Sequence, residues 1–176
     1  MKFHQAVLED VPSILEINQK YLRSNLPDNS KGFLLGDRTK EWISANLDKY
    51  FVAKDTDQLL GYAEIDFKIG EENFATGTWE GESIQKEVIE KIKNKNFIYM
   101  IQLASNTHRK GVGKCITEGL SKVFKGSVII SFVAYKPHFN EVSLHFHEKA
   151  GFQKVGLFKM KSKFGIQGYE RICYMK

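Results

Sequence analysis

Apolar and polar residues form two kinds of pattern along this chain, one typical of helices and one typical of strands. Ile14, Ile17 and Tyr21 recur at the spacing of a single helix face, and the same spacing recurs within 112–124. The continuous apolar run at 97–103 is typical of a strand buried on both faces. In chain order the pattern predicts a strand at 2–7, helices at 10–21 and 39–47, a hairpin of strands at 50–53 and 59–67, a helix at 83–93, a strand at 97–103, a helix at 112–124, a strand at 127–135, a helix at 140–150 and two strands within 152–176. Strands and helices that alternate in this way predict a mixed α/β (α+β) fold in one domain.

The composition agrees with one folded core and sets limits on location. The 176 residues are 42% hydrophobic, which is enough for a single domain with a buried core. No apolar run approaches the length that spans a bilayer, and the first five residues lack the apolar core of a signal peptide. Cys115 and Cys173 have no metal-ligand spacing and are typical of thiols in a reducing compartment. We therefore expect a cytoplasmic protein with no membrane partner and no metal site.

Charge is distributed unevenly along the chain. Residues 1–100 carry 13 Lys and Arg against 17 Asp and Glu, a net charge of −4, whereas residues 101–176 carry 13 against 4, a net charge of +9. A solvated surface can produce this asymmetry, and so can a polyanionic ligand held by the second half. No recognition-helix or RNP-like aromatic pattern accompanies the basic half, so we expect no specific nucleic-acid partner.

The segment 108–114 is the first candidate for chemistry. It reads His-Arg-Lys-Gly-Val-Gly-Lys and lies between a predicted strand and a predicted helix. Free N–H groups and the positive end of the helix dipole favour an anion there, above all a phosphate, and glycine lets the ligand approach the backbone. A P-loop is excluded because His108 and Cys115 occupy the positions of its glycine and its Ser or Thr. A dinucleotide fingerprint is excluded because Ile116 replaces its third glycine. The plain alternative is a turn with two glycines among surface lysines.

This pattern resembles the coenzyme A loop of the GNAT N-acetyltransferases, and a second segment strengthens the resemblance. That segment begins 27 residues after Gly113, beyond one predicted strand, and reads Asn140-Glu-Val-Ser-Leu-His-Phe146-His147-Glu-Lys-Ala-Gly-Phe152. It is similar to the family's helix and strand signature, an Asn, a Ser and then Phe-Tyr-Glu-Lys-x-Gly-Phe. With two segments in the family's order, the chain resembles a member of this family, of a branch with Phe-His in place of Phe-Tyr.

The resemblance implies a fold, a cofactor and a binding site. The expected fold is a single GNAT domain over 1–176, with 70–95 as an insertion. It has a mixed, mostly antiparallel sheet of about seven strands flanked by about four helices, with the strands splayed at the coenzyme A site. The implied cofactor is acetyl-CoA. The residues that the resemblance assigns to it are Ile101, Leu103, His108, Arg109, Lys110, Gly111, Val112, Gly113, Lys114, Asn140 and Phe146.

Two residues are candidates for proton transfer. His147 stands where the family has the tyrosine that protonates the leaving thiolate, and histidine suits this duty near neutral pH. Its alternative role is that of a histidine at the core edge, bonded to a backbone carbonyl. Glu64 is the candidate base, because strand alternation puts it with Tyr62 and Asp66 on one face. Its alternative is a solvent-facing strand carboxylate.

Together these assignments predict an enzyme, an acyl-CoA-dependent N-acetyltransferase. It would transfer the acetyl group of acetyl-CoA to an amine of a small molecule or peptide, by direct attack on the thioester. The alternative is a non-catalytic acyl-CoA-binding protein of the same fold, because His147 replaces the usual acid. A homodimer is compatible with the resemblance, and the acceptor amine is not identified by the sequence.

Overall fold

The computed structural model describes residues 1–28, 32–56, 58–106, 110–163 and 165–176. Within these residues the chain forms eight strands and five α-helices, with short 3₁₀ helices at Leu8–Asp10, Arg23–Asn25, Leu47–Lys49 and Glu71–Asn73. In chain order the elements are β1 (Lys2–Gln5), α1 (Val11–Tyr21), α2 (Lys40–Ala45), β2 (Tyr50–Asp55), β3 (Gln58–Asp66), β4 (Gly77–Trp79), α3 (Glu82–Lys93), β5 (Phe97–Ser105), α4 (Val112–Val123), β6 (Val128–Lys136), α5 (Glu141–Lys149), β7 (Gln153–Lys163) and β8 (Ile166–Met175).

The strands form one mixed sheet in the order β1-β2-β3-β5-β6-β8-β7-β4. β5 and β6 run parallel and pair from Phe97–Met100 to Val128–Ser131, whereas β1 with β2, β2 with β3, β6 with β8, β7 with β8 and β4 with β7 are antiparallel. This confirms the predicted mixed, mostly antiparallel α+β sheet. The predicted counts of about seven strands and four helices are each one too low for the part of the chain that the structure describes.

The strand missed by the sequence analysis is β4, which lies in the stretch expected to be an insertion. It is only three residues long, too short for an alternating pattern to be read. β4 exists because it pairs with β7, with Gly77 opposite Phe158 and Trp79 opposite Gly156. A side chain at Gly77 would collide with β7, since its Cβ would lie 2.5 Å from the carbonyl oxygen of Leu157. Close strand pairing, rather than local propensity, therefore determines this element.

By its internal contacts the chain divides into two compact units. The first comprises Met1–Asp28, Phe33–Ile65 and Ile101–Lys125, and the second comprises Gly32, Asp66–Met100 and Gly126–Lys176 among the described residues. The organisation of 1–176 as a single domain stays a prediction.

The first unit has its core between α1 and the strands β2 and β3. α1 buries Val11, Ile14 and Ile17 on one face, as the helical spacing predicts, and they pack with Val52 and Tyr62. This unit also contains α4, whose Gly119 faces the ring of Phe3 in β1. The unit therefore contains the predicted glycine loop, as far as it is described, and Glu64.

The second unit has an aromatic core around β6, β7 and β8. Phe74 stacks on Trp79 with their ring centroids 5.3 Å apart, and Phe158 meets both rings edge-on. The buried Arg171 lies with its guanidinium carbon 3.9 Å from the ring centroid of Phe132 and donates to the carbonyl and the side chain of Asn73. The segment from Asn73 to Trp79 is thus held in this core by packing and by hydrogen bonds.

Two further findings concern the described residues as a whole. No described helix is long and apolar enough to cross a bilayer. Within the same residues, no three His, Cys, Asp or Glu side chains are grouped so that they could hold a metal ion, and both cysteines are free thiols.

Candidate active site

The helix α4 begins directly after Gly111, as the glycine segment predicts. Gly111 has a φ of 93°, a left-handed conformation that glycine adopts without the penalty paid by other residues. The first N–H groups of the helix, from Val112 to Lys114, have no acceptor inside it. Lys110 and Lys114 are exposed beside them. His108 and Arg109, also assigned to this loop, lie outside the described residues.

The start of α4 is fixed against two strands of the first unit by the absence of a side chain at Gly61. A Cβ on this β3 residue would lie 2.6 Å from the carbonyl oxygen of Ala104 and 2.8 Å from Cγ1 of Val112. The backbone N–H of Asn106 donates to the carbonyl of Leu60 at 2.8 Å. The end of β5 and the first residue of α4 therefore both pack against β3.

The strand positions assigned to the cofactor alternate with a buried polar residue. Ile101 and Leu103 are half-buried in β5, whereas Gln102 between them is buried. Gln102 takes part in a network of buried amides and a hydroxyl. Its Oε1 accepts from Tyr62 at 2.7 Å and from Nδ2 of Asn18 at 3.1 Å, and its Nε2 donates to the carbonyl of Gly36 at 2.6 Å.

Glu64 is only 1% exposed, so its predicted alternative as a solvent-facing carboxylate is wrong. The physical reason is that β3 is covered on both faces over most of its length. Both carboxylate oxygens of Glu64 accept from Nε of Arg38, at 3.0 and 2.9 Å. Burial acts to lower the pKa of Arg38, but the hydrogen bond and the charge of Glu64 outweigh it and raise that pKa. The two side chains form a charged pair that is largely shielded from water.

Tyr50 lies opposite Glu64 in the pairing of β2 with β3 and completes this group. Its hydroxyl is buried and makes no hydrogen bond of ordinary length within the described residues. Burial and the nearby charge of Glu64 raise the pKa of Tyr50, so the hydroxyl stays protonated at neutral pH. It interacts with both Glu64 and Arg38.

His147 is 3% exposed and has a partner on each ring nitrogen. Nδ1 lies 2.7 Å from the carbonyl oxygen of Ser143, and Nε2 lies 3.1 Å from Oγ of Ser131. Because a carbonyl only accepts, Nδ1 carries the proton and donates it. The ring stacks on Tyr174, and burial lowers the pKa of His147 to about 4, with the bond to Ser143 acting in the opposite direction. These contacts are those of a histidine bonded to a backbone carbonyl, and the general-acid role stays a prediction.

Asn140 and Phe146 also belong to the second unit. Oδ1 of Asn140 accepts from the backbone N–H of Ser143 at 3.3 Å, so this side chain caps α5, as its position before the helix predicts. Phe146 is half-buried and meets the ring of His147 edge-on. The assignment of both residues to the cofactor stays a prediction.

The sequence analysis missed three polar residues of the first unit, Arg38, Asn18 and Gln102. Arg38 follows no motif, and its partner is 26 positions away. Asn18 is a polar residue within the apolar pattern of α1, and Gln102 interrupts the apolar run of β5. A polar residue within an otherwise buried segment was the one signal available, because such a residue needs hydrogen-bond partners inside the core.

Comparison with known proteins gives a result at the level of the fold. The sequence matches no family model and no curated protein sequence. Among solved structures it is similar to a GNAT-family acetyltransferase from Streptococcus agalactiae, with 15% identity, a TM-score of 0.66 and coverage of 99% of this chain and 94% of the other. The chain has the GNAT fold.

Two further solved structures have a similar fold and carry names that describe two different proteins. Ribosomal-protein-alanine N-acetyltransferase from Brucella melitensis has 17% identity and a TM-score of 0.62, with coverage of 100% of this chain and 99% of the other. The protein yncA from Salmonella typhimurium, solved with its cofactor acetyl-CoA, has 15% identity and a TM-score of 0.61, with coverage of 99% and 92%. In this chain β5 and α4 lie on either side of the loop that the sequence analysis identified. At these identities the likeness establishes the fold, and the Phe-His branch stays a prediction.

Proposed function

We propose that this protein is an acyl-CoA-dependent N-acetyltransferase, which transfers the acetyl group of acetyl-CoA to an amine of a small molecule or peptide. The observation that carries the proposal is the start of α4 in a GNAT fold. There a left-handed glycine exposes free N–H groups beside Lys110 and Lys114. A protein of similar fold is solved with its cofactor acetyl-CoA, which supports the same donor here.

The described loop residues fit the diphosphate of coenzyme A chemically. Backbone N–H groups at a helix N-terminus and flanking ammonium groups are donors that phosphate oxygens accept. We assign Lys110, Gly111, Val112, Gly113 and Lys114 to this role. His108 and Arg109 keep the assignment that the resemblance implies, Ile101 and Leu103 would hold the pantetheine arm through their backbone, and Asn140 and Phe146 complete the set. When bound, acetyl-CoA supplies a thioester whose carbonyl carbon an amine can attack.

Glu64 is the proposed proton acceptor for the attacking amine, directly or through a water molecule. Both its oxygens accept from Arg38, so the carboxylate is held in one position. General bases contribute about 10²–10⁴-fold to rates, and a carboxylate whose oxygens are already engaged by Arg38 belongs near the lower end. We expect Glu64→Gln to lower kcat by roughly 100-fold, with the KM for acetyl-CoA unchanged.

The alternative function, a non-catalytic acyl-CoA-binding protein, is favoured by the state of His147. A neutral ring with both nitrogens engaged has no proton free for a leaving thiolate. An enzyme with this residue must therefore release the thiol with a proton from another group or from water, whereas a binding protein has no such need.

One experiment separates the two functions. Purified protein is given acetyl-CoA and a panel of amines that vary in size and charge, and free thiol is measured by its reaction with DTNB. Release that depends on both protein and amine supports the enzyme. Tight binding of acetyl-CoA by calorimetry, with no release above background for any amine, supports the binding protein. Failure to bind acetyl-CoA at all contradicts both.

A matched pair of variants tests the donor site itself. Lys114 lies in the first turn of α4 and Lys122 in its last turn, and both are exposed. Lys114→Ala should raise the dissociation constant for coenzyme A roughly fivefold, and less at high salt, because one ammonium group near a phosphate is removed. Lys122→Ala should leave it unchanged. Equal effects of the two substitutions would contradict the assignment.

A further inference from the structure

Four buried groups of the first unit form one hydrogen-bonded cluster, which we call the amide cluster. Its members are the side chains of Asn18, Tyr62 and Gln102 and the carbonyl of Gly36. Nδ2 of Asn18 lies 3.1 Å from the Gly36 oxygen, 3.2 Å from the Tyr62 hydroxyl and 3.1 Å from Oε1 of Gln102. Gln102 in turn accepts from Tyr62 at 2.7 Å and donates to Gly36 at 2.6 Å. Apolar groups of the same shape can replace paired polar groups with little change in stability, so stability alone does not account for this cluster.

The amide cluster joins segments that are distant in the sequence. Asn18 lies in α1, Gly36 in the irregular segment before α2, and Gln102 in β5, 84 positions after Asn18. Every nitrogen and oxygen of the two amide side chains is used, since Oδ1 of Asn18 accepts from the backbone N–H of Arg38 at 3.1 Å. A Cβ at Gly36 would lie 2.6 Å from Nε2 of Gln102, so this segment packs closely against the amide. A buried polar network that is fully paired in this way specifies one arrangement of the segments it joins.

One end of the amide cluster is the part of β5 that we assign to the pantetheine arm. Gln102 lies between Ile101 and Leu103, whose backbone groups would hold that arm under the proposed function. The pairing of β5 with β6 covers Phe97 to Met100 and extends no further in the part of the chain that the structure describes. From Ile101 onwards, the neighbouring strand β3 and the three hydrogen bonds of the Gln102 side chain hold the backbone of β5. The amide cluster therefore supports the strand where the arm would bind.

The other end of the amide cluster is the ion pair of Arg38 and Glu64. Arg38 donates through Nε to both carboxylate oxygens of Glu64, at 3.0 and 2.9 Å, and Asn18 holds its backbone N–H. Only one residue separates Arg38 from Gly36, whose carbonyl belongs to the cluster. A continuous set of hydrogen bonds therefore runs from the pantetheine strand, through Asn18, to the proposed base.

Building on the proposed function, we propose that Asn18 and Gln102 are positioning residues for acetyl transfer, which hold the pantetheine strand and the Arg38–Glu64 pair in one geometry. Neither amide has to touch a substrate for this role. Rates depend steeply on such placement, because a displacement of about 1 Å caused by a change far from the chemistry can cost about 100-fold. The diphosphate site at the start of α4 is not part of the amide cluster. Loss of the cluster should therefore lower kcat far more than it weakens the binding of coenzyme A.

Gln102→Met tests this role, because methionine keeps the length of the side chain but cannot make the three hydrogen bonds. Asn18→Leu is the second variant and removes the same cluster from the side of α1. The matched control is Ile14→Val, a core substitution four positions before Asn18 that loses packing and no hydrogen bond. Thiol release is measured at a temperature where circular dichroism shows every variant folded. We expect kcat to fall at least about tenfold in the two amide variants and less than about twofold in the control, with the dissociation constant for coenzyme A within about threefold of wild type in all three.

Gln102→Glu provides a rescue that a packing role would not require. In its protonated form a carboxyl group has an O–H donor for Gly36 and an oxygen acceptor for Tyr62 and Asn18, as the amide has. Burial favours this neutral form. At pH 6 the kcat of Gln102→Glu should exceed that of Gln102→Met by at least about threefold, the effect expected for a regained hydrogen bond. Equal kcat values for the two variants would contradict the proposal.

The outcomes also separate this inference from the proposed function. If the wild type releases thiol, and neither amide variant lowers kcat beyond the Ile14→Val control, the positioning role is refuted and the enzyme stands. An unchanged kcat with weaker binding of coenzyme A would likewise overturn the positioning role and assign the amide cluster to cofactor binding. No thiol release by the wild type with any amine would refute the acetyltransferase and the positioning role together.

Discussion

His147 should make the protein lose stability as the pH falls from about 6.5 to 4. Burial lowers its folded-state pKa to about 4 from an ordinary value of 6.5, which the unfolded chain retains. Above pH 6.5 neither state binds the proton, so the ring has no effect on the pH dependence. Between the two pKa values the unfolded chain binds the proton and the folded chain does not. The free energy of unfolding therefore decreases as the pH is lowered through this range. Below pH 4 both states are protonated and the loss is complete.

The magnitude follows from the difference between the two pKa values. One pKa unit corresponds to about 1.4 kcal/mol, so the full shift corresponds to about 3 kcal/mol, of which about 2 kcal/mol is lost by pH 5. A domain is typically stable by about 5–15 kcal/mol, so this loss is large enough to measure. Other groups titrate in the same range, and a variant without the ring is needed to isolate the effect.

His147→Gln provides that comparison, because an amide does not titrate and can still donate to Ser143 and accept from Ser131. Urea unfolding followed by circular dichroism between pH 7.5 and pH 5 should show a steeper loss of stability in the wild type. Parallel pH profiles for the two proteins would refute the reasoning, as would a ring pKa near 6.5 by NMR. If His147→Gln instead abolishes thiol release while its stability and acetyl-CoA affinity are unchanged, the ring is catalytic and the structural interpretation fails.

Three substitutions test the packing and hydrogen bonds of the first unit. Tyr62→Phe should lower the free energy of unfolding by about 1–3 kcal/mol in urea denaturation, because it deprives Gln102 of a buried donor; an unchanged midpoint would contradict the network. Gly119→Ala should reduce the free energy of unfolding by about 1–3 kcal/mol, since the added Cβ would lie 2.3 Å from the ring of Phe3. Adding Phe3→Leu should restore part of this loss. Gly111→Ala should lower the free energy of unfolding by about 1–2 kcal/mol because φ at this position is 93°. An unchanged free energy of unfolding would contradict this strain.

The parts of the fold that could be predicted are those in which a long segment repeats one pattern. The apolar face of α4 and the continuous apolar run of β5 each extend over enough residues for the period to be read, and their ends were predicted within a few positions. β4 could not be predicted in this way. Its three residues form a strand only because β7 offers a paired backbone and Phe158 and Phe74 enclose Trp79. These contacts join positions about 80 residues apart or lie within irregular structure.

The same limit applies to the candidate site and explains why its chemistry was only half predicted. Strand alternation correctly put Glu64 and Tyr62 on one face of β3, but alternation says nothing about what covers that face. The cover is Arg38, which belongs to an irregular segment between α1 and α2 whose hydrogen bonds run to buried amides rather than to a repeating partner. A face can therefore be read from a local pattern, whereas the partner that a carboxylate binds depends on tertiary contacts. For Glu64 that partner changes the expected chemistry from a free base to one half of a fixed pair.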